Sequence, residues 1–348
     1  MRRRWRAAGR VCRYVLSTPS GAFATAVLAL WILTAVVSLL WTPVPVNESD
    51  GYHVWMPPSS RHWLGTDGSG FDVFSWLMAG SAVDLLLVVL VVLVAAIEGG
   101  VLSLAMIMSS ARVGDMVVVA VDAMISIPVI LLALLLSVPW GGSIAVVVVA
   151  CGVGYGLNFA RVIRPVAGSV ARSLYVEAGT VAGGSRWRAW RSHILPHCLP
   201  TALVQLSLAA GTSILAESGL TYLGVGVPAG TPSWGRSLAM SAQMMSVRPL
   251  TVLWPGVVVT LVVAACGMFG DALRDAIDPM VNEGLRVDDG GDARDRPVLR
   301  SGPVRRDRSV RPDGRSGRPS GHCDGEGTEE PSSPAWDSAL SPASGEDG

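Results

Sequence analysis

Lysine is missing altogether: all 27 basic residues of this 348-residue chain are arginine. A Walker-type phosphate loop needs a lysine to reach nucleotide phosphates, so no standard one is present, and any ATP hydrolysis must come from a partner. Charge of either sign is scarce, at 16% of residues against roughly 25% in soluble proteins. Cysteine is sparse and scattered (Cys12, Cys151, Cys198, Cys266, Cys323), never as CxxC, which argues against a disulfide framework or a zinc site. No GxSxG nucleophile motif occurs, and the polar residues form no nucleophile–base pair. The chain therefore does not read as an enzyme, and no cofactor or nucleic-acid partner is expected for it.

What is abundant is Val, Leu and Ala, in long runs. Gly21 to Leu40 and Leu250 to Gly270 carry no charge. Each is about 20 residues, enough to cross a hydrocarbon core about 30 Å thick. Hydropathy predicts an all-α membrane protein with six spans, at 21–41, 82–108, 116–138, 143–160, 201–217 and 251–270. The first follows a cluster of arginines but is too long for a signal-peptide core and lacks a small-residue cleavage site, so it reads as an uncleaved anchor. Arginines crowd the N-terminus and the 161–200 segment, while alternate loops are poor in them, which predicts both termini in the cytoplasm. Trp41, Trp55, Trp63 and Trp76 read as an aromatic belt at the opposite surface. Three parts follow: a basic N-terminal segment (1–20), a six-span domain (21–280), and a tail (281–348) too poor in aliphatic residues to offset its ordering entropy, expected to be disordered.

Between the fourth and fifth spans lies "EAGTVAGGSRWRAWRSHILPHCLP" (177–200). A short helix, the Gly183-Gly184 break and a second amphipathic piece with Trp187 and Trp190 predict a compact cationic knob; the bland alternative is a helix lying on the headgroups. His193 and His197 share the i, i+4 spacing of a metal pair, but Pro196 between them disfavours an uninterrupted helix, and no third ligand stands nearby. Ionisable residues at membrane depth, namely Glu98, Asp122 and Asp84, are functional candidates because their burial is costly. Gly99-Gly100 beside Glu98 leaves room for a neighbouring helix or for water.

The segment resembles the EAA loop of bacterial ABC importer permeases, with Glu177, Ala178, Gly183, Leu195 and Pro196 at the matching positions and Gly179 departing from the pattern. Further motifs are similar to the dipeptide/oligopeptide/nickel (DppC/OppC-like) branch. They are "HWLGTDGSGFDV" (62–73), Asp115 and Asp122 followed by Pro128, "ESGLTYLGVGV…PSWG" (217–235), and "WPGVVV…GDALRDAIDP" (254–279). The resemblance covers about residues 15–280. It implies the type I ABC importer permease fold and a subunit in the bacterial plasma membrane forming half of a translocation path for peptides or a related small solute. The implied partners are a homologous second permease (DppB/OppB-like), two ATPase domains carrying ATP and Mg, an extracellular solute-binding protein, and the bilayer. The loop would then couple the spans to the ATPases through about 175–200, with Gly183 as hinge. Phe71 and Trp76 stand where relatives carry arginine, and "GSAVDL" (80–85) replaces G-A-R-x-S-L, so roles of those arginines do not carry over. The rival readings are a proton-coupled secondary transporter using Glu98 and Asp122, and a non-transporting scaffold. "PSWG" (232–235) itself reads as a connecting turn.

Overall fold

The computed structural model describes residues 11–246 and 249–277; the basic residues before position 11 and the expected disordered tail lie outside the described residues. Among the described residues, α-helix dominates and strand pairing is limited to one bridge, Thr66 with Asp72. We number the helices from the first apolar one: α1 (Pro19–Ser38), α2 (Val73–Met108), α3 (Ala111–Ile125), α4 (Val129–Trp140), α5 (Ile144–Ala171), α6 (Leu174–Val181), α7 (Arg186–Ala189), α8 (Leu195–Tyr222), α9 (Trp234–Ala242) and α10 (Pro249–Ile277). A π-helical turn, Trp190–Ile194, joins α7 to α8.

Five helical segments are long and apolar enough to cross a membrane, and a bent pair brings the number to six if it counts as one span. The expected spans need correction: the fourth, expected over 143–160, runs on to Ala171, and the sixth, expected over 251–270, runs on to Ile277. The third, predicted as one helix over 116–138, is broken: its halves meet at 82° around Ser126–Pro128. Proline lacks an N–H and pushes the residue before it out of the α region, so α3 stops short of Pro128. At 12 residues, about 18 Å, α4 cannot cross alone. The second span starts at Val73, not 82, and its 36 residues reach about 54 Å, well beyond the hydrocarbon core. The fifth, predicted to begin at 201, is continuous with α7 through the π turn from Arg186 to Tyr222. Pro196 does not interrupt it. The turn shifts the bonding to i+5, with the Leu195 N–H reaching the Trp190 carbonyl, and Pro196 falls in the first turn of α8, where a missing N–H costs little.

Two apolar cores flank the α2–α8 pair. One joins α1, α2, α8, α9 and α10 around Trp31, Leu77, Ile214 and Trp234; the other joins α2, α4, α5 and α8 around Leu87, Val91, Val147 and Leu220. Glycines let the longest pair close up. A Cβ on Gly99 would stand 2.6 Å from the Gly156 carbonyl, so α2 and α5 touch backbone to backbone. Gly100 faces open space and contributes nothing to this approach.

Candidate functional site

The 174–195 segment is built on a short helix with a defined stop. α6 opens as Ser173 accepts from the Glu177 N–H (3.1 Å) and closes in a Schellman motif, where the Gly184 N–H reaches the Gly179 carbonyl at 3.0 Å. Gly183 occupies the left-handed position, with φ +87°. No side chain would clash there, so the requirement for glycine is conformational rather than steric. The Ser185 hydroxyl then caps α7 by accepting from the Arg188 N–H (3.3 Å).

Val176 and Ile194 are the buried anchors of this segment. Ile194 packs with Ile163, Ala167, Val170 and Cys198, joining the segment to α5 and α8. The Arg186 guanidinium donates to the Met108 carbonyl (3.4 Å), which ties it to the end of α2. Outward faces Leu174, 83% exposed, Val181, 84% exposed, and Trp187, stacked on Trp190 with ring centres 5.1 Å apart. The predicted knob, cationic and aromatic, is thus present. Glu177, Ala178, Leu195 and Pro196 all lie exposed on it. His193 packs edge-on against the Tyr175 ring at 5.6 Å.

The intramembrane candidates separate. Asp122 on α3 lies 3.7 Å from Arg161 of α5, and both side chains are more than half exposed. Glu98 is half-buried between α2 and α5, where its carboxylate lies against Gly156, and its Oε2 has no hydrogen-bond partner among the described residues. The two acids are not brought together into one site.

A second polar centre, at the opposite end of the helices from the 174–195 segment, is only partly visible in the sequence. "PSWG" is not merely a turn: Ser233 caps α9, its hydroxyl accepting from the Arg236 N–H at 3.0 Å. Trp234, 2% exposed, donates its indole N–H to the Leu77 carbonyl (2.9 Å) and packs on Trp31. Its backbone N–H donates to Asp84 Oδ2 at 2.9 Å. Glu217, 1% exposed, accepts from the hydroxyls of Thr221 (2.8 Å), Ser233 (3.2 Å) and Ser218 (3.3 Å). Two acidic side chains, from α2 and α8, thereby grip the N-terminus of α9 through hydrogen bonds to the Trp234 N–H and the Ser233 hydroxyl. Sequence reasoning does not single out Glu217 as a buried acid, although it ends a long run free of Arg, Asp and Glu; that break in hydropathy is the signal for it.

Beside this centre, the 42–72 connection is a hydrogen-bonded cap on α2. The Asp72 carboxylate accepts from the Ser75 N–H (2.8 Å) and pairs with His62 (3.0 Å). Asp67 accepts from the N–H groups of Ser69 and Phe71, yet burial pushes its carboxyl above the usual carboxylate range. Trp76 does not join a membrane belt as expected. It is buried against Phe71, ring centres 4.7 Å apart, whereas Trp41 and Trp63 are exposed.

Comparison with known proteins agrees with this architecture. Residues 99–283 match the family model described as binding-protein-dependent transport system inner membrane component. The chain is 34% identical to a probable peptide ABC transporter permease protein, y4tQ, of Sinorhizobium fredii, over 73% of this chain and 86% of the relative. It is 32% identical to the dipeptide transport system permease protein DppC of Alkalihalophilus pseudofirmus, over 73% and 83%. To the nickel transport system permease protein NikC of Escherichia coli it is 30% identical, over 73% and 91%. With five apolar helices long enough to cross a membrane, six if the bent pair counts as one span, and these matches, the chain belongs to the family of binding-protein-dependent transport inner membrane components, the membrane permeases of ABC importers.

Proposed function

We propose that this chain forms half of the translocation path of an ATP-driven importer and passes the motion of separate ATPase subunits to its spans through residues 177–196. The observation that carries the reading is the α6–α7 unit: a rigid eight-residue helix with an exposed face, stopped at a left-handed Gly183. It is rooted through Ile194, which packs at the ends of α5 and α8, and holds a second buried side chain in Val176. A short helix on such a root moves as a lever, and ATPase closure can bias two arrangements of the spans through it. Glu177 and Ala178 lie on the docking helix, Gly183 at its hinge, and Leu195 and Pro196 where it re-enters the bundle.

The arginine bias supports an orientation with this end, and both termini, on the cytoplasmic side of a bacterial plasma membrane. The exposed apolar faces of α3 and α4, including Met116, Val119, Leu135 and Val138, then receive a homologous second permease. ATP and Mg belong to the ATPase subunits, and an extracellular binding protein selects the cargo. The names of the relatives point to peptides, with nickel complexes as the nearest variant. The 1–20, 21–280 and 281–348 division remains our proposal for the parts of the chain.

The test is affinity purification from the native membrane in mild detergent, followed by uptake measurements. Recovery of a second permease and ATPase subunits, lost on replacing Glu177 and Gly183, together with vanadate-sensitive uptake, supports this reading. Recovery of the chain alone, with ionophore-sensitive uptake, would instead favour the proton-coupled transporter and make Glu98 the next residue to replace.

A further inference from the structure

A second feature of the coupling end stands apart from the 174–195 lever. A cavity of about 590 Å³ opens between α3, the end of α2 and the last turns of α5. From α5 come Arg161, Arg164 and Arg172; the facing wall, from α2 and α3, is apolar at Ile107 and Val118 and carries Asp122. Asp122 pairs with Arg161 alone, while the guanidinium groups of Arg164 and Arg172 have no ion pair among the described residues. The cavity wall thus carries an excess of two positive charges.

Its depth in the membrane follows from the helix. Arg161 is the first charge on α5, 17 residues after Ile144. That is about 26 Å along the axis, close to the thickness of a hydrocarbon core. Arg164 lies about 4 Å further, within the headgroup layer. Arg172 starts beyond it but folds back: its Nη1 would lie 3.4 Å from a Cβ on Gly168, one turn earlier, so the absent side chain leaves room for the guanidinium to return along α5. Three guanidinium groups are thereby arranged along one wall at phosphate depth, each with a planar fork suited to phosphate oxygens.

We propose that this cavity binds the headgroup of an anionic phospholipid, its phosphate on Arg164 and Arg172 and the start of its acyl chains against Ile107 and Val118. A free phosphate matches the arginines but leaves the apolar wall unused; an amphiphile matches both walls. Basic pockets between spans at the membrane boundary are a recurrent setting for such lipids. The inference requires only that the chain is membrane-embedded, so it does not stand or fall with ATPase coupling.

The test uses the full-length chain, with whatever subunits copurify, in a neutral detergent. Thermal stability is followed against dioctanoyl phosphatidylglycerol, dioctanoyl phosphatidylcholine and inorganic phosphate, and retained lipid is counted by native mass spectrometry. The expected result is stabilisation by phosphatidylglycerol alone, with the half-maximal concentration raised about tenfold or more in the Arg164→Gln/Arg172→Gln variant. Equal stabilisation by inorganic phosphate would overturn the lipid in favour of a free anion, and equal stabilisation by phosphatidylcholine would overturn charge recognition. An undiminished response in the double variant would place the lipid elsewhere. If that variant does not fold, Val118→Trp serves instead: it fills the cavity while keeping every arginine. Loss of the phosphatidylglycerol response then supports the site, and its persistence overturns it.

Discussion

The two ends of this molecule use polar residues in opposite ways. Around Trp234, carboxylates and hydroxyls are buried and spent on one another: Glu217 takes three hydroxyl donors, and Asp84 takes a backbone N–H at the start of α9. Around Gly183, charged and aromatic side chains face outward, and the segment is held by a capped helix, a left-handed glycine and two buried aliphatic anchors. Most of these groups are bonded, although Asp84 Oδ1 has no partner among the described residues, and breaking any of the buried bonds is costly, so the first arrangement resists change. An exposed, locally determined element can move as a unit without breaking buried bonds. The difference teaches where substitution should damage the fold and where it should damage only function.

The largest effect on folding is expected at Trp234→Ala. It removes a fully buried indole from the contact with Trp31 and leaves the Leu77 carbonyl without its donor. Losses for a large aromatic in a core run to about 3–5 kcal/mol. The yield of monodisperse protein in detergent should fall sharply; an unchanged yield and melting temperature would show that α9 is not part of the core. Gly235→Val should follow closely, because a Cβ there would stand 2.7 Å from both the Glu217 carboxylate and the Ser218 backbone.

Gly183→Val tests the other end. Its Cβ would meet nothing within 4 Å, so the cost is the left-handed backbone, about 1–2 kcal/mol for a residue with a Cβ. We expect membrane insertion and melting temperature to be nearly kept while uptake is abolished. Normal uptake by this variant would remove the hinge from the mechanism. A fold as damaged as that of Trp234→Ala would erase the contrast between the two ends.

Glu217→Gln sharpens the comparison at the buried centre. The amide keeps one acceptor oxygen for Thr221 and Ser233 but turns a donor toward the Ser218 hydroxyl, which can accept. One hydrogen bond changes its donor and the others are kept, at a cost of about 1 kcal/mol. A melting temperature lowered by more than Trp234→Ala lowers it would make the carboxylate, not the indole, the chief anchor of α9.

How legible each end was follows from the range of its interactions. The α6 stop at Gly183-Gly184 is local: six consecutive residues form the Schellman motif, and the sequence displays them together. The buried centre draws Asp84, Glu217 and Trp234 from three helices, with Asp84 and Trp234 150 residues apart in the chain, and no local pattern brings them together. The same reasoning explains the spans. Hydropathy found each crossing, but the early start of α2 depends on the Asp72 cap and on Trp76, Leu77 and Met78 being buried by other helices. The π turn before Pro196 is invisible to a helix-period reading, because its shift to i+5 relieves the demand that made the proline look disruptive.

The smallest effect is expected in the 42–72 cap, which borders the buried centre without belonging to it. Burial raises the Asp67 carboxyl above its ordinary value of 3.8, against the lowering influence of the N–H groups it accepts. A group whose value rises on folding contributes stability that is present below its unfolded value and lost as pH climbs through the folded one. The cap should therefore be tightest in acid and loosen by a small amount as pH rises from 3.8 through the raised value of the folded state. Asp67→Asn keeps a carbonyl oxygen for the Ser69 and Phe71 N–H groups but cannot ionise. Hydrogen exchange of the 65–72 amides should lose this component of its pH dependence, beyond the intrinsic exchange chemistry, in the variant and keep it in the wild type. An identical profile in both would show that water reaches Asp67 and that the cap is as open as the lever at the other end.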